Sequence, residues 1–130
     1  MFQSANFLLI NGTRERRWLQ LLQEALSPLG KLQAEEERKA IERLSAQEYD
    51  IVILDATLID DVPLLISRIR AQRPDARVVV ATASPTWTRA REAFYAGATD
   101  YVRKSLNKEE ILSVIREVLT KTPPPWPGKG

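Results

Sequence analysis

Three stretches of the chain are apolar without interruption and then stop short. Phe7 to Ile10 within Asn6–Asn11, Ile51 to Leu54 before Asp55, and Val78 to Ala81 before Thr82 are too brief for helices and show no polar alternation. Runs of this kind predict strands buried on both faces of a parallel sheet. Elsewhere the apolar positions fall at helical spacing. Thr13 is a candidate N-cap, followed by the stripe Trp18, Leu21, Leu22, Ala25, Leu26, Leu29, with Gly30 as a C-terminal stop. Residues 35–46 present Ala40, Ile41 and Leu44, and residues 64–71 present Leu65, Ile66 and Ile69 before Pro74. Pro85 opens a helix that runs to Ala96 and stops at Gly97. Asn107 precedes a last helix whose stripe is Ile111, Leu112, Ile115, Val118 and Leu119. Residues 31–34 read as a weak strand and residues 99–103 as a short one. Strand and helix therefore alternate five times, which predicts an α/β domain with right-handed crossovers. Residues 1–121 are expected to form that domain. Residues 122–130 contain Pro123, Pro124, Pro125, Trp126 and Pro127, and are expected to be an extended tail or linker.

Composition narrows the chemistry more than the fold. The 130 residues include no cysteine and no histidine, which excludes disulfides, zinc fingers and His- or Cys-based catalysis. A net charge of +2, with both signs mixed along the chain, makes no case for nucleic acid or an acidic membrane surface. No apolar run approaches the ~18 residues of a membrane span, and no basic-then-apolar N-terminal leader is present. The expected setting is the cytoplasm, with no membrane contact.

In open parallel sheets the carboxyl ends of the strands converge on one crevice. Here those ends carry Asn11 and Gly12, Asp55, Thr82 and Lys104. A carboxylate, a hydroxyl and an ammonium at one place suit phosphoryl chemistry: the first as acceptor, the others on the equatorial oxygens. Asn11-Gly12-Thr13 at a helix start allows an alternative, a flavodoxin-like nucleotide or flavin binder. No G-x-G-x-x-G and no G-x-x-x-x-G-K-[ST] accompanies it.

Ile53-Leu54-Asp55, Val80-Ala81-Thr82-Ala83 and Gly97-Ala98-Thr99-Asp100-Tyr101-Val102-Arg103-Lys104 together resemble the response-regulator receiver domains (the CheY-like family) of two-component phosphorelay signalling. The resemblance implies a flavodoxin-like, doubly wound five-stranded sheet of order 2-1-3-4-5 with five flanking helices. It implies a signalling phosphoprotein module that is not an enzyme. Asp55 would be the phosphoacceptor, Thr82 and Lys104 its partners, and Tyr101 the aromatic switch. It implies a histidine kinase or phosphotransfer protein upstream and an output protein or domain downstream.

The chain departs from the family pattern where the metal belongs. Two acids normally end the first strand and hold Mg²⁺; Asn11 and Gly12 stand in their place. Asp55 and the backbone carbonyl of Thr57 remain as ligands. Mg²⁺ binding is expected to be weak, and Mg²⁺-dependent phosphorylation weakened or lost, because the ion needs anionic oxygens. No other cofactor is expected. The alternative is a conventional regulator phosphorylated on Asp55. Trp87, Arg89, Arg91 and Arg103, with Tyr101, are expected to form a basic, aromatic binding face on helix four, strand five and helix five, suited to an output partner or a homodimer.

Overall fold

The computed structural model describes residues 4–10 and 16–125. Its described residues form five strands and five helices: β1 Ala5–Ile10, α1 Arg16–Leu26, β2 Gly30–Glu35, α2 Glu37–Ala46, β3 Ile51–Asp55, α3 Val62–Gln72, β4 Arg77–Thr82, α4 Trp87–Ala96, β5 Asp100–Arg103 and α5 Lys108–Leu119. A single 3₁₀ turn, Ala56–Leu58, follows β3. The strands are parallel and ordered β2-β1-β3-β4-β5, as the alternation and the resemblance imply.

Burial explains why some strands are legible as apolar runs and others are not. β3 is buried along its whole length, and β1 and β4 along most of theirs. Edge strand β2 carries Lys31, Gln33 and Glu35 and is only half-buried, the polar dress that keeps an edge from pairing with another chain. The period of two along each central strand sorts its side chains into two cores. Leu8, Ile10, Val52, Leu54, Val78 and Val80 face one way, against α2, α3 and α4. Phe7, Leu9, Ile51, Ile53, Val79 and Ala81 face the other, against α1 and α5.

Three of the helix starts, those of α3, α4 and α5, carry side-chain caps. Asp61 accepts from Leu64 N at 3.0 Å, Thr86 from Arg89 N at 3.2 Å, and Asn107 from Glu109 N and Glu110 N at 2.8 and 3.2 Å. Each such cap is worth about 1 kcal/mol. Two expectations shift. Pro85 lies just outside α4, because Thr86 takes the cap position. Gly30 begins β2 instead of stopping α1. It pairs with Ala5, and a Cβ there would lie 1.9 Å from the Ala5 carbonyl oxygen, so the close backbone approach demands glycine. Gly97 does stop α4, with a left-handed φ of 112°. The candidate cap Thr13 lies outside the described residues.

Candidate acceptor site

β3, β4 and β5 are consecutive in the sheet, so their carboxyl ends lie side by side. Register pairs Asp55 with Ala81, and Thr82 with Arg103. The Lys104 N–H then donates to the Thr82 carbonyl at 2.8 Å, extending the β4–β5 ladder by one residue and aiming the lysine side chain from a fixed base.

Both oxygens of the Asp55 carboxylate are engaged. Oδ1 accepts from the Thr57 N–H at 3.1 Å, the cap of the 3₁₀ turn. Oδ2 receives the Lys104 ammonium at 3.0 Å. The sequence suggests a partly exposed pair at a strand end. The structure encloses it: Asp55 is 0% exposed and the Lys104 side chain 8%. Such a pair is held by mutual need, since either charge alone at that depth carries a desolvation penalty of several kcal/mol. Thr82 is also buried, and its Oγ1 accepts from Ser84 N at 3.2 Å.

Tyr101 is half-buried, packed against the α2–α4 core, with its hydroxyl 3.5 Å from the Thr86 N–H at the start of α4. A cleft of about 970 Å³ opens beside the pair. Thr57, Asp60, Thr82, Arg89, Tyr95 and Tyr101 are among the residues that line it.

The expected binding residues divide. Trp87 is 80% exposed, and Arg91 and Phe94 are exposed on the same side of α4, at the spacing of one and two turns. Arg89 does not share that face; two residues on from Trp87, it turns to the cleft. Arg103 is exposed at the end of β5.

One residue of the site carries no signal in the sequence beyond its helical spacing. Trp18, in the first turn of α1, is 3% exposed and stacks on Lys104, whose Nζ lies 4.6 Å from the ring centroid. Its indole N–H donates to the Ser105 carbonyl at 3.3 Å. Its place in the apolar stripe of α1 identifies it as core; only the packing of α1 beside the strand ends brings it to Lys104.

Among the described residues the acceptor pair offers a metal ion a single carboxylate. Asp55 supplies one carboxylate, already committed to a cation and a backbone N–H, and Thr57 meets it through that N–H. Among the described residues no three acids, histidines or cysteines stand close enough to hold a metal ion. Asn11 and Gly12 lie outside the described residues; their side chains bring no anionic oxygen.

Residues 16–116 match the family described as response regulator receiver domain. The chain belongs to that family. It is a signalling module of two-component systems rather than an enzyme, and its family implies a histidine kinase as partner. Receiver domains typically bind Mg²⁺. The chain is 36% identical over 77 residues to a DNA-binding transcriptional regulator NtrC of Azospirillum brasilense, covering 58% of this chain and 16% of that protein. It is 31% identical over 87 residues to a sensory transduction protein LytR of Staphylococcus haemolyticus, covering 66% of this chain and 33% of that one. The chain thus spans a third or less of these relatives' length.

Among solved structures, the receiver domain of DrrB in its BeF3-activated form superposes with a TM-score of 0.77 at 22% identity, covering 92% of this chain and 100% of that one. A response regulator from Thermotoga maritima gives 0.82 at 21%, covering 92% and 100%. A signal receiver domain of an HD domain-containing protein from Pseudomonas fluorescens gives 0.75 at 27%, covering 92% and 89%. These likenesses establish the fold. Among the described residues no helix is long and apolar enough to cross a membrane. The rival reading as a flavodoxin-like nucleotide or flavin binder gives way to the receiver family, and its candidate loop, Asn11 to Thr13, lies outside the described residues.

Proposed function

We propose that this receiver acts as an atypical, cytoplasmic protein-interaction module whose working state does not depend on Mg²⁺-assisted phosphorylation of Asp55. One observation carries the reading: Asp55, the acid of the acceptor pair, is buried with both oxygens engaged, one by Lys104 and one by Thr57. A conventional receiver pocket has an excess of negative charge for a divalent ion to neutralise. Asp55 with Lys104 is formally neutral, so the ion gains little by entering and must displace an ammonium to do so.

Recognition then falls to surface that is already formed. Trp87, Arg91 and Phe94 on α4 and Arg103 on β5 supply exposed aromatic and arginine side chains, the types that dominate interface energetics. The occupant is an output protein or domain, or a second copy meeting α4, β5 and α5. Residues 122–130 serve as the tail of this unit.

A second reading has its own support. Asp55, Thr82, Tyr101 and Lys104 are all retained and come from adjacent strand ends, the set a conventional regulator uses when a kinase phosphorylates the aspartate. Backbone amide shifts during addition of Mg²⁺, and then of beryllofluoride, separate the two. The first reading expects no saturable binding below about millimolar Mg²⁺ and no beryllofluoride response. Sub-millimolar saturation centred on Asp55, followed by shifts at Thr82 and Tyr101, establishes the conventional regulator instead.

A further inference from the structure

The Lys104 ammonium is held from two sides by residues far apart in sequence. Asp55 Oδ2 is at 3.0 Å and the centre of the Trp18 ring at 4.6 Å, with all three side chains buried or nearly so. The indole is itself pinned at its other end, because Nε1–H donates to the carbonyl of Ser105, the residue after the lysine. The ring face and the chain direction of Lys104 are therefore fixed together.

An aromatic face presents negative potential without carrying a charge. It attracts an ammonium most where water is excluded, and this site is enclosed. The chain has Asn11 and Gly12 where the family pattern has acids. We infer that Trp18 is a positioning residue of the acceptor pair: its indole face holds the Lys104 ammonium against Asp55 and takes over part of the electrostatic work of those acids. The inference rests on the reading of Asp55 and Lys104 as the acceptor pair. It does not depend on whether that pair is phosphorylated.

A purely structural tryptophan would fill the α1–α5 core alongside Leu22, Ile53 and Ile115 and leave the lysine indifferent to its electronics. The test must therefore read the lysine. In the full chain, with lysine labelled and Lys104 assigned by its loss in Lys104→Arg, the Lys104 ε-protons are expected upfield of every other lysine from the ring current. Its ammonium protons are expected to exchange slowly. Trp18→Leu should abolish the upfield shift and speed that exchange about tenfold, the size expected of a desolvated cation–π contact. Trp18→Phe, which keeps a π face, should restore most of both.

Loss of packing in Trp18→Leu is separated by a second replacement. Tryptophan multiply fluorinated on its benzo ring, introduced at position 18 alone, keeps the shape and the N–H but drains the face of negative potential. It should speed the ammonium exchange while leaving the melting temperature unchanged. Lys104 ε-protons resonating with the other lysines in the wild type overturn the inference without any variant. Unchanged exchange in the fluorinated protein overturns it too. None of these readouts uses metal or phosphate. A wild type that takes up beryllofluoride therefore overturns the metal-independent function, while a Trp18-dependent lysine still supports the positioning role.

Discussion

Arg70 and Gly97 are fitted to one another through a single nitrogen. Arg70 Nη1 donates to the Gly97 carbonyl at 2.6 Å, and a Cβ on Gly97 would lie 3.0 Å from that same Nη1. Gly97 also sits at φ 112°, where any side chain strains the backbone. The contact joins α3 to the turn between α4 and β5, the segment that leads into Tyr101 and Lys104. Gly97→Ala is expected to cost about 1–3 kcal/mol, from the backbone alone, before the arginine is displaced. Gly97→Asn should cost less, since asparagine tolerates the left-handed region better. Urea unfolding of the pair measures both, and equal losses would assign the cost to the arginine rather than to the backbone.

Arg70 is 2% exposed, and the partners found for it are carbonyls. Nε donates to Pro74 at 3.0 Å and Nη2 to Pro124 of the tail, beside the Gly97 contact. Burial pushes the guanidinium below its ordinary pKa, with nearby Asp75 acting the other way. Arg70→Met keeps the stem and loses the donors, and should cost about 2 kcal/mol, because the buried Gly97 carbonyl is left unpaired. Removing residues 123–130 should cost less than that, since it vacates only one of the three bonds, at a carbonyl that water reaches. A truncation as costly as Arg70→Met would make the tail part of the core domain.

Asp55 deserves a different forecast from the one its sequence position invites. A carboxylate at a strand end, beside one lysine, suggests a partly exposed pair worth little and a nearly neutral Asp55→Asn. Enclosure reverses this. Asp55→Ala removes one partner of a buried ion pair and should cost about 3–5 kcal/mol. Asp55→Asn keeps one acceptor oxygen, for the Thr57 N–H or for Lys104, where the carboxylate has one for each, and should cost about 1–3 kcal/mol. Equilibrium unfolding reads both; a neutral Asp55→Asn would mean that Lys104 finds adequate partners without the charge.

That reversal marks where sequence stopped informing. β1, β3 and β4 were legible because strands buried on both faces must be apolar throughout. The edge strand β2 was faint because its polar residues face solvent. Asp55, Thr82 and Lys104 were legible as a set, since each ends or directly follows a strand and the family resemblance implies the order of those strands. The depth of the pair was not, because it depends on how the 3₁₀ turn and α1 close over it. Trp18 was hidden for a related reason: helical spacing says which side of α1 is buried, but not what lies against each turn.

Metal affinity should be recoverable. Asn11→Asp with Gly12→Asp returns two carboxylates to the end of β1 and makes the pocket formally −2 from neutral. Mg²⁺ binding, followed by amide shifts or by fluorescence, is expected to become saturable below about millimolar concentration. Failure of the double variant, with its fold intact, would mean that the standing Asp55–Lys104 pair by itself is enough to exclude the ion.

At 80% exposure Trp87 contributes nothing to either core, so Trp87→Ala should leave stability within about 0.5 kcal/mol of the parent. Phe94, two turns on, is 46% exposed and extends the same apolar line past Arg91. Lys108 takes no part in that face. Its ammonium pairs with Glu24 of α1 and holds that carboxyl below the usual carboxylate range, first by their hydrogen bond and then by its charge. If recognition runs through Trp87, Arg91 and Phe94, Trp87→Ala should weaken self-association or capture of the output partner at least tenfold, the effect of losing a hot-spot aromatic. Lys108→Ala should leave it unchanged. Sedimentation of the chain alone, and titration with the partner, read both, with no phosphodonor added. Binding that appears only after beryllofluoride treatment would restore the conventional switch. Binding indifferent to Trp87 would move the interface off α4 altogether.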